Sequence, residues 1–262
     1  MRGRQPYLPL GGIVDTPLAD IRIGQVTSQW AESNHLYVSY KTQQDSTNTL
    51  AKEEAFEENL LEESLCLYVT DHQTAGRGRG KNTWLDAHHG SALLSSWSFL
   101  LGIKPQPTTS CLVGLAVYRA CSTTWPFLPW NLKAPNDIYI GDKKVAGILL
   151  ESLVQGSDVR LIIGLGFNIT ASPEEVETAT SLIESLPQGA PLLGQDYMAF
   201  LDRLLFELTD AVSHCDEALS PTDQLSLLTA LNQHPLLKEK YTGMEADGSL
   251  LIGDKKISWT NL

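Results

Sequence analysis

Residues 130–169 carry three apolar runs in close succession, "WNLKAPNDIYI", "KKVAGILLESLV" and "DVRLIIGLGFNI", with no helical stretch between them. Runs of this length, rich in Ile, Leu and Val, read as strands. Gly141-Asp142 separates the first two and has the composition of a hairpin turn. Strands and helices therefore do not alternate one for one. That disfavours a doubly wound sheet and predicts an α+β chain, a mixed β-sheet with packed helices.

Upstream, "HLYVSYKT" sets Leu36, Val38 and Tyr40 on one face of a half-buried strand. "DSTN" (45–48) is rich in N-cap residues and opens an amphipathic helix predicted over 49–64, "TLAKEEAFEENLLEES". Strands follow at 65–71 and 91–101, and a buried helix at 108–124. "SPEE" (172–175) has the Ser, Pro and Glu spacing of a capping box and predicts a helix start. Further helices are expected at 194–215 and 220–233. The last segment, "YTGMEADGSLLIGDKKISWTNL", reads as short strands turning at Asp247-Gly248 and Gly253-Asp254. It is too short to fold alone and must dock on the larger body. Residues 1–22 show no period and read as a tail or loosely docked arm. The expected division is thus 1–22 arm, 23–233 catalytic body and 234–262 small β piece.

A formal net charge of −12 argues against a chain that binds nucleic acid through its overall charge. The four cysteines, Cys66, Cys111, Cys121 and Cys215, form no CxxC pair and suit buried, reduced thiols. No apolar run reaches the ~20 residues of a membrane-spanning helix, and the N-terminus lacks a signal peptide's apolar core. A soluble, cytoplasmic protein is the expectation.

Against this acidic background, Gly76 to Lys81 concentrates two arginines, one lysine and three glycines. The loop lies between two predicted strands. Glycines let backbone approach a ligand closely, and Arg offers a planar fork for carboxylate or phosphate. A solvated basic turn would show the same residues. The standard phosphate motifs are absent: Gly80-Lys81 is followed by Asn82 rather than Ser or Thr, and neither Gly76-Arg77-Gly78 nor Gly164-Leu165-Gly166 completes GxGxxG. Lys133 stands inside an apolar run, which demands either a partner or a strand end from which it can reach water. Asp86, His88 and His89 lack metal-motif spacing and read as a polar turn.

Five segments in order carry a resemblance: "STN" (46–48), "QTAGRGRG" with Trp84 (73–84), "LKAPNDIYIGDKKVAGILLE" (132–151), "GLGFNI" (164–169) and "ATSL" (179–182). Together they resemble the biotin protein ligases, enzymes that activate biotin with ATP and attach it to a carboxylase lysine. The resemblance spans roughly residues 36–190. It departs from the family in two places. After Arg79 the loop continues Gly80, Lys81, Asn82, Thr83 and is less basic, and Ala134 stands where a Trp is usual.

The resemblance implies a biotin ligase catalytic fold, similar to class II synthetases, with a shortened SH3-like C-terminal piece. It implies that Ser46, Thr47 and Asn48 bind the polar ring of biotin, with Gln73 lining the same pocket. Arg77 and Arg79 would hold the biotin carboxylate and phosphates, with Gly76 and Gly78 allowing close approach. Lys133 would bridge carboxylate and α-phosphate, making Lys133 and Arg79 the catalytic pair. Gly147, Gly164, Gly166 and Asn168 would wall the site. ATP and biotin would be substrates, with Mg²⁺ on the phosphates; no metal ligands can be named. The chemistry agrees, since joining a carboxylate to AMP needs cations and positioning but no general base.

The implied partner is the biotin carboxyl-carrier domain of a carboxylase. About 45 residues precede "STN" and show no helix pair, so no sequence-specific DNA binding is expected; no membrane partner is expected either, and a homodimer stays open. A lipoate- or octanoate-attaching enzyme of related fold is the nearest alternative. A nucleic-acid module, or a protein that holds biotinyl-AMP without transferring it, are the others.

Overall fold

The structure, a computed structural model, describes residues 14–259. A seven-stranded mixed sheet forms the body, in the order β1-β2-β3-β7-β6-β5-β4. The strands are β1 (Tyr37–Lys41), β2 (Leu65–Thr70), β3 (Ala92–Leu101), β4 (Trp130–Lys133), β5 (Asp137–Ile140), β6 (Lys143–Gln155) and β7 (Asp158–Asn168). β1 runs parallel to β2, and every other neighbour is antiparallel. The expected mixed α+β class is what the chain adopts.

The two faces of the sheet are unequal, and strand parity decides which residue goes where. Leu65, Leu67 and Val69 of β2, with Leu161, Ile163, Leu165 and Phe167 of β7, enter the large core. Helices α1 (Ile23–Ser33), α3 (Thr109–Thr124), α5 (Gly194–Ser213) and α6 (Pro221–Asn232) bury their apolar residues in that core. The opposite face receives Cys66, Tyr68 and Ile162, covered by Leu50 and Ala51 of the short helix α2 (Thr47–Glu53) and by Leu60. On this second face β7 continues with Gly164 and Gly166, which have no side chains to fill the space. A hollow is therefore left where α2 ends its cover.

The C-terminal strands β8 (Gly243–Met244), β9 (Leu250–Ile252) and β10 (Lys255–Ile257) form a separate three-stranded sheet. Met244, Leu250 and Trp259 join the large core, so this piece docks as its length requires. Of the expected N-terminal arm, residues 1–13 lie outside the described residues. Residues 14–22 dock: Leu18 is fully buried and its amide donates to the Leu192 carbonyl at 2.9 Å.

Four local expectations change. Helix α1 was not expected, although Ile23, Val26, Thr27, Trp30 and Ala31 recur at helical spacing; Gly24 and the β-branched Val26 and Thr27 are poor helix formers and weaken that signal. Gly24 is needed there, since a Cβ would meet Asp71 Oδ1 at 2.6 Å. The helix predicted over 49–64 stops at Glu53. The guanidinium of buried Arg160 takes the carbonyls of Ala55, Leu60 and Glu63, turning backbone acceptors outward that a helix would need. The run 130–140 is two strands, because the backbone turns at 134–136 and Asn136 exchanges two bonds with Ile148, both 2.9 Å. No helix begins at "SPEE". Residues 178–180 are instead drawn against Lys144 of β6, and the capping box forms later, between Ser181 and Glu184, on α4 (Leu182–Ser185).

Candidate functional site

The hollow is a cavity of about 680 Å³ over β5, β6 and β7, bounded by the start of α2 and the basic loop. Register sets its floor. Gly147 of β6 pairs with Gly166 of β7, and Leu149 with Gly164. The bare glycine positions are occupied from above: a Cβ at residue 164 would collide with the Asn48 amide, and one at residue 166 would lie 2.5 Å from the Trp84 ring.

One wall is polar and nearly inaccessible. Ser46, Thr47 and Asn48 are all buried at the start of α2. Gln73 Oε1 accepts from the Thr47 amide at 2.9 Å and from its hydroxyl at 3.3 Å. The segment preceding α2 is laced to the loop base, with Gln44 N donating to His72 O and Thr74 N to Gln44 O, both 3.0 Å. That lacing brings Gln73 beside Ser46 although the two are distant in sequence. Ser96 of β3 hydrogen-bonds through its hydroxyl to Thr47 Oγ1 and Asn48 Oδ1.

The basic loop is folded rather than structureless. Gly78 N donates to Asn82 O at 2.9 Å, Asn82 N to Arg79 O at 3.2 Å and Trp84 N to Gly76 O at 3.0 Å. Gly80 at the tip has φ +66°, a left-handed conformation that glycine adopts without strain. At the loop's base, His72 Nδ1 meets Asp86 at 2.8 Å and its ring stacks on His89 at 3.9 Å. Asp86 and His89 therefore belong to a polar closure of the loop. Among the described residues, no three His, Cys, Asp or Glu side chains are grouped to hold a metal.

Of the residues singled out from sequence, Ser46, Thr47, Asn48, Gln73, Arg77, Gly78, Arg79, Lys133, Gly147, Gly164 and Gly166 all line this one cavity. Gly76 sits just behind it, where a Cβ would press on the Trp84 carbonyl at 2.5 Å. Asn168 is buried, and its side-chain amide donates to the Thr180 carbonyl at 3.1 Å. Lys133 is exposed at the end of β4, with its ammonium 5.6 Å from the Tyr139 ring centre. It is a strand-end lysine that borders the cavity, while its ammonium lies over Tyr139, which lines an adjoining pocket with His234.

Lys144 of the cavity lining, and Glu151 behind the side formed by Arg77 and Asn48, were not singled out. Lys144 lies 2.6 Å from Asp137 Oδ1 and 5.9 Å from the Trp84 ring centre. Glu151 receives Arg77 in a two-point fork, Nη1 to Oε2 at 2.7 Å and Nη2 to Oε1 at 2.9 Å. Lys52 and Asn48 also donate to Glu151, at 3.0 and 3.1 Å. Burial pushes the Glu151 carboxyl up, but the bonds from Arg77, Lys52 and Asn48 outweigh it and leave it below its ordinary range. Glu151 was legible in principle: it is on the same face of β6 as Gly147, at an even spacing.

Residues 40–168 match the model of the biotin/lipoate A/B protein ligase family. The chain carries a biotin/lipoate A/B protein ligase domain. That domain contains nearly the whole cavity, from the start of α2 to the end of β7. Its relatives include a biotin–[acetyl-CoA-carboxylase] ligase of Mycobacterium tuberculosis, 34% identical over 145 residues, covering 53% of this chain and 51% of that one. A bifunctional ligase/repressor of Bacillus subtilis is 29% identical over 178 residues, covering 64% of this chain and 51% of that protein. The chain thus spans about half the length of the curated relatives it matches. Among solved structures, a biotin protein ligase from Aquifex aeolicus in complex with biotin and ATP superposes with a TM-score of 0.64 at 26% identity. The match covers 84% of this chain and 95% of that one.

Proposed function

We propose that this ligase-family domain activates biotin with ATP to biotinyl-AMP and transfers the biotinyl group to a lysine of a carrier domain. The observation that supports this most is the gathering of Ser46, Thr47, Asn48, Gln73, Arg79 and Lys133 around one glycine-floored cavity. An uncharged, hydrogen-bonding head fits the buried wall beside Thr47 and Asn48. The glycines let Asn48 and Trp84 sit directly on the sheet, and the cavity they bound has the size for a small ring and an alkyl chain.

The chemistry needs two anions brought together. A carboxylate oxygen attacks the α-phosphorus, the bond to pyrophosphate breaks, and a mixed anhydride forms. Lys133, Arg79 and Lys144 border the space in which charge accumulates, and cations fixed there lower the barrier without reorganising. In the second step a neutral lysine amine attacks the acyl carbon and AMP leaves. Trp84 and the loop screen the anhydride from water meanwhile.

Mg²⁺ is suited to this site in a limited way. Asp137 is the carboxylate lining the cavity, and Mg²⁺ on nucleotide phosphates needs only one or two protein carboxylates. Asp137 would hold it, and the metal would neutralise phosphate charge when bound.

The test is pyrophosphate release with ATP and each of biotin, lipoate and octanoate. Release that requires biotin supports the reading. Release that follows octanoate or lipoate and ignores biotin transfers the site to the other branch of the family. The expected acceptor is a carboxylase carrier domain, read by mass as one biotinyl addition to one lysine.

A further inference from the structure

Arg77 belongs to the basic loop, yet its guanidinium ends at Glu151 and not among the other cations of the cavity. Glu151 lies opposite Ile162, whereas Gly147 pairs with both Gly166 and Asp137. At ~3.3 Å per residue along β6, Glu151 is roughly 13 Å from the Gly147 position. Lys144 and Lys133 flank that far end: Lys144 pairs with Asp137, and Lys133 is its register partner in β4. The two arginines of the loop therefore face different surroundings. Arg77 crosses to the polar wall and is neutralised there. Arg79 stays at the tip, lining the cavity with Lys81, Lys133 and Lys144.

Glu151 also orders its neighbours. Asn48 Nδ2 donates to Glu151 Oε2, while the Asn48 oxygen meets the Ser96 hydroxyl. The two contacts fix which way the amide faces. Lys52 on α2 donates to the other carboxylate oxygen, so α2, the loop and β6 converge on one carboxylate. Without it, Arg77 and Lys52 would be two unbalanced cations beside the wall meant for an uncharged head. A carboxylate tail would then be drawn to the wrong end of the cavity.

We propose that Glu151 is a positioning residue of this site. It removes Arg77 from the anion-binding set, ties the loop to β6, and sets the polarity with which a ligand enters. The uncharged head goes beside Asn48 and the carboxylate goes toward Lys133. This rests on the biotin reading for the ligand, but the tie between loop and strand stands apart from it.

The experiment compares Glu151→Gln, Arg77→Gln, the double variant and the charge exchange Glu151→Arg with Arg77→Glu. Each protein is measured twice. Hydrogen exchange of residues 76–84 is followed without ligand, and KM and kcat are determined for biotin in pyrophosphate release. Losing a charge-assisted fork should speed exchange of the loop about tenfold or more in each single variant. KM for biotin should rise by a similar factor, about tenfold, with kcat changed far less. The double variant should be no worse than Arg77→Gln, and the charge exchange should recover part of the loop protection.

Unchanged exchange in Glu151→Gln overturns the tie, as does full additivity in the double variant. A loss confined to kcat overturns the positioning role. If no protein in the set, wild type included, consumes biotin, the function proposed above is what fails. The exchange comparison then still decides whether Glu151 holds the loop.

Discussion

The indole of Trp84 lies directly on Gly166, so close that a methyl group at residue 166 would come within 2.5 Å of Cε2. The same ring covers Gly147, where a Cβ would meet Cζ3 at 3.1 Å. The loop is therefore seated on the sheet by an aromatic ring placed on bare backbone. Gly166→Ala should push Trp84 off this seat. Overpacking of this kind typically costs about 1–3 kcal/mol. The expected outcome is a folded protein with shifted tryptophan fluorescence and weakened retention of biotin. Wild-type affinity in that variant would show that the seat does not matter to binding.

Lys133→Ala should leave the fold intact, because the side chain is exposed at the end of β4 and packs into no core cluster. It should nearly abolish formation of the anhydride. Cationic stabilisers of developing charge are commonly worth about 3 kcal/mol or more. Thermal unfolding and biotin-dependent pyrophosphate release separate the two effects. A variant with most of the wild-type rate sinks the role given to Lys133.

Much of this arrangement could be read from residues. The hairpin signal at Gly141-Asp142 gave part of the antiparallel side of the sheet, whereas the pairing of β6 with β7 that brings Gly147 beside Gly166 came from the structure. The ordered segments brought Ser46, Gln73, Arg79 and Lys133 to a single cavity. What escaped was determined by contacts distant in sequence. Helix propensity over 49–64 is real, but Arg160, about 100 residues away, claims the carbonyls that the helix would use. Arg77 looks like an anion binder in sequence because Glu151, 74 residues on, has no local signature as its partner.

Arg160 is itself a test of that account. It is 1% exposed and donates to the backbone carbonyls of Ala55, Leu60, Glu63 and Ser98. Arg160→Met keeps bulk but leaves those acceptors without a donor, at about 1–3 kcal/mol for each that stays buried and unpaired. Partial relaxation will recover some of it, so a net loss of about 3 kcal/mol or more is expected in chemical denaturation. Arg160→Lys should not restore stability, since one ammonium cannot reproduce a planar fork. Near-wild-type stability in Arg160→Met would mean that the 55–63 segment holds itself.

The cysteines should be inert in the native state. Burial pushes the Cys66 thiol up to about 11 and the Cys111 thiol to about 12, and raises Cys121 and Cys215 as well. The thiolate is the reacting form, and all four side chains are buried. A maleimide or iodoacetamide added at neutral pH should label none of them until denaturant is present. Fast labelling of one thiol in the folded protein would identify a locally open segment.

The Glu151 carboxylate also predicts a pH dependence with a definite sign. Its folded value lies below the ordinary 4.5, because the bonds from Arg77, Lys52 and Asn48 outweigh burial. A carboxylate depressed in the fold contributes stability that is fully present above its unfolded value. The contribution fades as pH falls from there through the folded value. Arg77 and Lys52 supply fixed positive partners across this range. Loop protection due to Glu151 should therefore be constant from neutral pH down to about pH 5, then decline in stronger acid. His72, His89 and Asp86 at the loop base are common to wild type and Glu151→Gln, so the difference between the two proteins cancels them. Hydrogen exchange of residues 76–84 in both proteins, followed across this range, makes the comparison. A difference that vanishes well above pH 5 would mean that a group other than the Glu151 carboxylate carries the effect, and one that persists unchanged in strong acid would mean that the carboxylate charge is not what holds Arg77.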